Sequence, residues 1–447
     1  MIDGLRPYPE MRPTGVPWLP ETPRHWDVRR IKTLLTEVDN RSKTGKERLL
    51  SLRMRHGLVD HVAAGGRPIP PESLVGFKIV EAGQVVMNRM RAAAGLFGVA
   101  DVRGLVSPDY AVFEPRPDAY NPYLLQAFRL PSLAALFRAE SKGLGTGESG
   151  FLRLYTDRFG PIPVPYPPLD EQRLIERFLD WHGNRTAKLI RAKLEVLKLV
   201  AEEREALTHD VVSSPGTRQM RLANIVDHIF RSVDRESTKT YTPVGLFNRG
   251  RGIFRKPPTR GDDLGDSTFS WIEDGDLILS GQFAWEGAVA LAGTDEADCI
   301  SSHRYHILRG KEELVQTIYL SSLLRTSFGH LLLNEHSRGA AGRNRPLNIR
   351  TLLKEKIPVP PQSEQARLVE LVTLEKRLAG SIANFADRLR EYRNRLIADV
   401  VTGKLDVRTV ATSLPEIIEL EPIDDLVDGD DLDEAIDDEP ENEEVAA

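Results

Sequence analysis

Between Ser363 and Val401 the apolar positions Leu378, Ile382, Phe385, Leu389, Tyr392, Leu396 and Val400 alternate spacings of four and three. That is the a/d seam of a helix that buries one narrow stripe against another helix. A second run, Asp170 to Val212, is rougher, with Ile190, Leu194, Leu197, Ala201, Leu207 and Val211 as its stripe and Arg, Lys and Glu around it. Neither run contains proline. A lone stripe of this kind must be covered, and two on one chain are covered most economically by each other, antiparallel. At about 1.5 Å of rise per residue, such helices make a rod of roughly 60 Å. The expected helix-pair packing rests on Ile190, Leu194 and Leu197 of the first run and Leu378, Ile382, Phe385, Leu389, Tyr392 and Leu396 of the second.

Ahead of each run the period changes. Short β-type stretches such as VVM, DLILS and YAVF alternate with Gly and Pro punctuation, and a few short helical patterns, among them NPYLLQAFRLPSLAALFRAE, lie between them. Both regions end on the same phrase: IPVPYPPLDEQ from Ile162 and IPVPPQSEQ from Ile357. Alternating prolines hold the backbone extended. Asp170 or Ser363 then reads as the N-cap, with Glu171 or Glu364 in the first turn, where a carboxylate meets the positive end of the helix dipole.

The phrase is part of a longer duplication. EAGQVVMNR (Glu81–Arg89) aligns with EDGDLILSG (Glu273–Gly281), SPDYAVF with SHRYHIL, and YLLQAF with YLSSLL, all at a shift of about 192 to 195 residues. The unit is far longer than a solenoid repeat, so each copy can hold its own core. The expected fold class is α+β, with two tandem α+β domains separated by two long antiparallel coiled-coil helices. The boundaries are an arm over 1–23, a first domain over 24–168, a first helix and linker over 169–217, a second domain over 218–361, a second helix over 362–408 and an acidic tail over 409–447.

The net charge of -6 hides an uneven distribution. From Pro415 onward there are 16 Asp or Glu and no Lys or Arg; the preceding 414 positions carry 60 basic residues against 66 less 16, or 50, acidic ones. The body is mildly basic, which suits a polyanion partner. The tail is too charged to bury a core and reads as disordered. It serves either as a solvating segment or as a phosphate mimic that competes for the basic body. The single Cys299 excludes a disulfide framework and a cysteine-based zinc site. No apolar run is long enough to span a membrane and no signal-peptide core opens the chain, so a cytoplasmic location is expected.

The chain resembles the specificity subunit of type I restriction-modification enzymes over about Arg24 to Arg408. The resemblance is carried by PRHWDVRRIKTLL (Pro23–Leu35), by Glu81–Pro117, by both IPVP phrases with their Glu-Gln, and by the closing RNRLIADVVTGKLDVR (Arg393–Arg408). It implies two target-recognition domains, each reading one half of a split asymmetric site on double-stranded DNA. It also implies a helix pair that sets half-site spacing and docks two methyltransferase subunits, with restriction subunits joining indirectly. The chain itself would hold no catalytic residue and no cofactor. The acidic tail has no place in the family pattern.

The candidate readers agree with that assignment on their own terms. Bidentate Arg reads guanine, Asn or Gln reads adenine, and other cations hold phosphates. The first copy offers Arg89, Arg91 and Lys142 on Gly- and Ala-rich loops; the second offers Arg249, Arg251, Arg255, Lys256, Gln282, Arg338, Arg343, Asn344 and Arg345. Trp285 reads as a packing residue or a wedge between bases, and Trp26 and Trp181 as packing residues. No P-loop pattern is present. Pro108-Asp109-Tyr110 resembles an adenine-methyltransferase tetrapeptide, but its repeat partner His303-Arg304-Tyr305 lacks the acid. His303 and His306, three apart on an expected strand, project to opposite faces and make no metal site. The competing reading is a protein-only coiled-coil scaffold that binds no DNA.

Overall fold

The computed structural model describes residues 5–54, 56–143, 152–339 and 345–415. The chain divides into two compact units. Unit 1 takes its described residues from Met1–Ile190 and Phe385–Ile423, and unit 2 from Arg191–Asn384.

Unit 1 is built on a four-stranded antiparallel sheet of β1 (Leu35–Val38), β2 (Val85–Asn88), β3 (Phe97–Val99) and β4 (Tyr110–Pro115), in the order β1-β4-β2-β3. Two helices, α1 (Asn121–Phe128) and α2 (Pro131–Glu140), each open with proline in the first turn, where the missing N–H has no intrahelical acceptor to lose. Beneath them Phe97, Phe113, Phe128, Phe137 and Phe159 form one aromatic core, with ring centroids 5.1 to 6.3 Å apart. The N-terminal arm is folded into this unit: Met11–Val16 pairs with Leu19–Pro23, and Tyr8 and Leu19 are buried.

Unit 2 repeats the plan. Its sheet comprises β5 (Val226–Ile229), β6 (Leu277–Ser280), β7 (Val289–Leu291) and β8 (Tyr305–Gly310), in the order β5-β8-β6-β7, followed by α3 (Thr317–Leu324) and α4 (Ser327–Glu335). In both units the proline phrase forms an antiparallel two-stranded ribbon: Pro163–Tyr166 pairs with Asp27–Arg30, and Lys356–Val359 with Arg218–Arg221. A buried tyrosine donates to a proline carbonyl of each phrase, Tyr123 to Pro165 at 3.2 Å and Tyr319 to Pro358 at 2.7 Å.

Two long helices follow the phrases, Leu169–Val212 and Gln362–Val401. The structure moves their starts: Asp170 and Ser363 are inside the first turn. The Pro168 carbonyl takes Glu171 and Gln172 N–H, and the Pro361 carbonyl takes Glu364 and Gln365 N–H. In unit 1 the start of the first long helix (Ile175, Phe178, Leu179) and the end of the second (Leu396, Val400, Val401) share one core, and the rings of His182 and Tyr392 lie 5.8 Å apart. In unit 2 Val211 and Leu368 share a core, and Arg204 faces Glu375 at 2.9 Å. Of the expected seam residues Ile190, Ile382 and Leu396 are buried, Leu194, Leu197, Leu378, Phe385 and Leu389 are half-buried, and Tyr392 is exposed. The folded chain continues past Arg408 as a short helix, Arg408–Thr412, because Val407 and Ala411 are fully buried in the core of unit 1. The expected disordered tail otherwise lies outside the described residues. No helix among the described residues is long and apolar enough to cross a membrane.

Candidate nucleic-acid interface

The paired Glu-Gln of the two phrases has a structural meaning. Gln172 and Gln365 are fully buried, and each Nε2 donates 2.8 Å back to the proline carbonyl five residues earlier, Pro167 or Pro360. Gln365 also takes the Gln316 N–H and donates to Leu314 O. These amides lock each long helix to the strand it leaves. The two glutamates diverge. Glu171 is buried among Tyr8, His25 and Arg408, whereas Glu364 pairs locally with Arg367 at 2.7 Å. Burial and the Glu171 carboxylate beside it push the Tyr8 hydroxyl well above the ordinary tyrosine pKa.

The expected reading loops sit on the sheets by one mechanism. Asn88 Oδ1 accepts Met90 and Arg91 N–H at the end of β2, and Ser280 Oγ accepts Gln282 and Phe283 N–H at the end of β6. Each loop then makes one 3-10 turn, Ala92–Ala94 or Ala284–Glu286, and leaves it through a left-handed glycine, Gly95 (φ 81) or Gly287 (φ 77). A side chain at that φ is strained, so the glycine fixes the turn. A second loop in each unit is closed by an isolated bridge, Lys142 with Arg153 and Ser337 with Leu347.

The candidate cations separate by environment. Arg89 is mostly buried, its Nη2 2.6 Å from Glu37 Oε1, and Lys78 reaches the same carboxylate at 3.7 Å. Arg89 therefore holds the corner between β1 and β2 and could meet a base only by breaking that pair. Arg91 is exposed on the rim of a cleft of about 690 Å³ that Asn88, Ala134 and Arg138 also line. Lys142 is exposed at the neck of its loop. In unit 2 Arg249, Arg251, Arg255 and Arg338 are exposed and Lys256 and Gln282 half-buried. The Arg251 guanidinium lies 5.0 Å from the Phe247 ring, Arg255 donates to Asp295 O and Arg338 to Glu335 O. Arg345 stacks 4.8 Å over Trp285, whose Nε1 donates to Gln282 O, so that Trp285 is occupied as a platform. Arg343 and Asn344 lie outside the described residues. Trp26 is fully buried, as expected. His303 lies in the turn before β8 and not on the strand; His306, on β8, meets His228 of β5 edge to face, with ring centroids 5.5 Å apart. Among the described residues no cluster of His, Cys, Asp and Glu could hold a metal.

Sequence reading missed Arg129 and Arg325. They occupy equivalent C-caps, of α1 and α3. Arg129 Nη2 donates to Phe97 O, and Arg325 sits against Gly250. The signal was available, because each directly follows its copy of the duplicated segment, YLLQAF or YLSSLL.

Residues 73–199 match the family model of the type I restriction modification DNA specificity domain. That span begins before β2 and runs through α1 and α2 into the first long helix. A solved chain described under "Structural basis underlying complex assembly and conformational transition of the type I R-M system" superposes with a TM-score of 0.56 at 18% identity, over 85% of this chain and 98% of that one. The HsdS subunit from Thermoanaerobacter tengcongensis aligns over 86% of this chain and 98% of its own, at 16% identity and a TM-score of 0.45. Comparison with curated protein sequences gives no match. The resemblance read from the sequence is borne out over residues 73–199, which are similar to the DNA specificity domain of type I restriction-modification systems.

Proposed function

We propose that this chain is the DNA sequence-specificity subunit of a type I restriction-modification complex, each compact unit reading one half of a split, asymmetric duplex site. The match of residues 73–199 to the specificity domain carries the reading. The second sheet of identical strand order, with its own capped loop and left-handed glycine, supports a second reading head. The recognition domains are taken as 24–168 and 218–361, with 1–23 as an arm and 169–217 and 362–408 as spacer helices on which two methyltransferase subunits dock. Restriction subunits would join through those. The chain itself is noncatalytic in this reading, and methylation and cleavage belong to its partners. Arg91, Lys142, Arg249, Arg251, Arg255, Lys256, Gln282, Arg338, Arg343, Asn344 and Arg345 are the proposed DNA-facing side chains. The test is genome-wide methylation mapping in cells carrying the chain with a methyltransferase subunit, against cells lacking the chain. A split motif that appears only with the chain is expected, and exchanging the block before Ile162 should change one half alone. Absence of any chain-dependent motif, with DNA binding insensitive to salt, would favour the protein-only scaffold.

A further inference from the structure

Unit 2 contains a pocket that sets the proposed DNA-facing Arg249 beside two arginines outside that set, Arg204 and Arg325. It encloses about 160 Å³ and is bounded by Arg204 from the first long helix, Arg249 from the loop after Phe247, Arg325 at the end of α3, and His330 in α4, with Glu205 on its edge. Arg204 is only 8% exposed; its Nε makes no hydrogen bond among the described residues, although Glu375 Oε2 is 2.9 Å away. Arg249 keeps a left-handed backbone (φ 59) through its N–H to Glu286 O, which aims the loop at the pocket. The walls are glycine where side chains approach most closely: a Cβ on Gly250 would lie 2.9 Å from Arg325 Nε, and one on Gly287 would lie 2.7 Å from His330 Cε1. Arg325 remains open to solvent, yet the protein packed around its guanidinium, and then the facing Arg204, hold its pKa below the ordinary arginine value. Arg204 is already matched by Glu375, which leaves Arg249 and Arg325 as lining cations that an added anion would neutralise, with Glu205 the one carboxylate on the lining. Arginines that line one pocket from three separate elements can meet the several oxygens of a phosphoryl group, whereas a carboxylate is satisfied by one fork.

We propose that this pocket binds a phosphoryl group. Unit 1 supplies an internal control. Arg129 also has a like-charge neighbour, Arg393 of the second long helix, but Ala134 lines the cleft at the position His330 takes in α4. The assignment rests on the pocket's own geometry, so it stands or falls separately from the specificity reading. The experiment titrates inorganic phosphate, with acetate as control, and separately a random-sequence duplex, into the full chain and its Arg249→Gly, Arg325→Gln and Arg129→Gln variants at low salt. Glycine at 249 keeps the left-handed backbone while removing the charge. Phosphate affinity is expected to fall about tenfold or more in Arg249→Gly and Arg325→Gln and to hold in Arg129→Gln. A parallel loss of duplex affinity in Arg325→Gln, which lies outside the proposed DNA-facing set, identifies a nucleic-acid backbone phosphate as the ligand; an unchanged duplex affinity in that variant identifies a free phosphate ester. Phosphate binding no tighter than acetate, equal binding by all four proteins, or an equal loss in Arg129→Gln would each overturn the proposal, whatever motif methylation mapping returns.

Discussion

The two units share strand order and loop caps but fill them with different chemistry. Where unit 1 clusters Phe97, Phe113, Phe128, Phe137 and Phe159, unit 2 has Val289, Leu308, Leu324, Leu333 and Leu352 at the corresponding points of the same strands and helices, all buried. Where unit 1 pins β1 to β2 through Glu37 and Arg89, unit 2 has the His228–His306 contact between β5 and β8. Where Gln84 caps the Glu81 turn as a neutral amide, Asp276 caps the Glu273 turn as a fully buried carboxylate between Arg231 and Arg309. The backbone plan thus survives a change of core from aromatic to aliphatic and of polar pairs across the sheet, while the loop caps and the tyrosine and glutamine bonds to the proline phrases are kept in both units.

The aromatic core gives the largest expected effect. Phe159 touches four other rings, so Phe159→Ala removes the centre of the cluster and should cost about 3–5 kcal/mol. Leu352→Ala at the equivalent place in unit 2 should cost about 2–4 kcal/mol, because a smaller side chain leaves a smaller cavity. Urea unfolding resolved by hydrogen exchange in β4 and β8 measures both. A cost in unit 2 exceeding that in unit 1 would mean that the cores are not equivalent.

The buried amides come next. Gln365 makes three hydrogen bonds and Gln172 is seen donating to Pro167, so Gln365→Ala should cost roughly 2–4 kcal/mol and Gln172→Ala about 1–2 kcal/mol. Exchange protection at the start of each long helix reports them separately. Equal losses would show that the lock works through the shared proline carbonyl alone.

Acidification should drive the units apart. Burial, and then His228, hold His306 down to about 4, below the roughly 6.5 of an unfolded histidine. The unfolded state therefore binds the extra proton, and unit 2 loses stability as pH falls from about 6.5 to about 4, by something on the order of 1 kcal/mol once screening of this partly exposed pair is allowed for. In unit 1 burial, and then Glu176, raise Asp180 to about 7 against an unfolded value near 4. There the folded state holds the extra proton, so this group favours unit 1 as pH falls through the same window, with His182, held down by burial, acting against it. His306→Phe should flatten the acid loss of unit 2 and Asp180→Asn the gain of unit 1, read by exchange corrected for its intrinsic pH dependence. Parallel profiles before mutation would refute the contrast.

Much of this was legible in the sequence where a pattern repeats with one period. The helix that carries the heptad of Leu378 to Val400, the VVM and LILS strands and the doubled proline phrase all appear in their expected places. What stayed hidden were polar residues on inner faces. His182, Thr186, Arg204 and Thr208 are buried on the first long helix, which is why its stripe read as rough. Arg89 looked like a loop cation because its partner Glu37 is 52 positions away, and no local pattern reports that. The arginine C-caps could be found only by aligning the copies.

The smallest effect is the most informative about reading. Arg91 is exposed on the rim of the unit 1 cleft, beside the buried Arg89 that the same loop carries. If Arg91 holds a phosphate, Arg91→Ala should weaken duplex binding roughly threefold, lower the salt dependence by about one counterion, and leave the methylated motif unchanged. If it reads a base, the motif should relax at one position of one half-site while the salt slope stays put. Arg89→Ala, two residues away, should instead destabilise unit 1, because Glu37 would lose its closest cation in a half-buried corner, and should change DNA binding only in proportion to unfolding. A motif altered by Arg89→Ala at full stability would reverse the assignment, placing the reader in the ion pair and the scaffold in the exposed arginine.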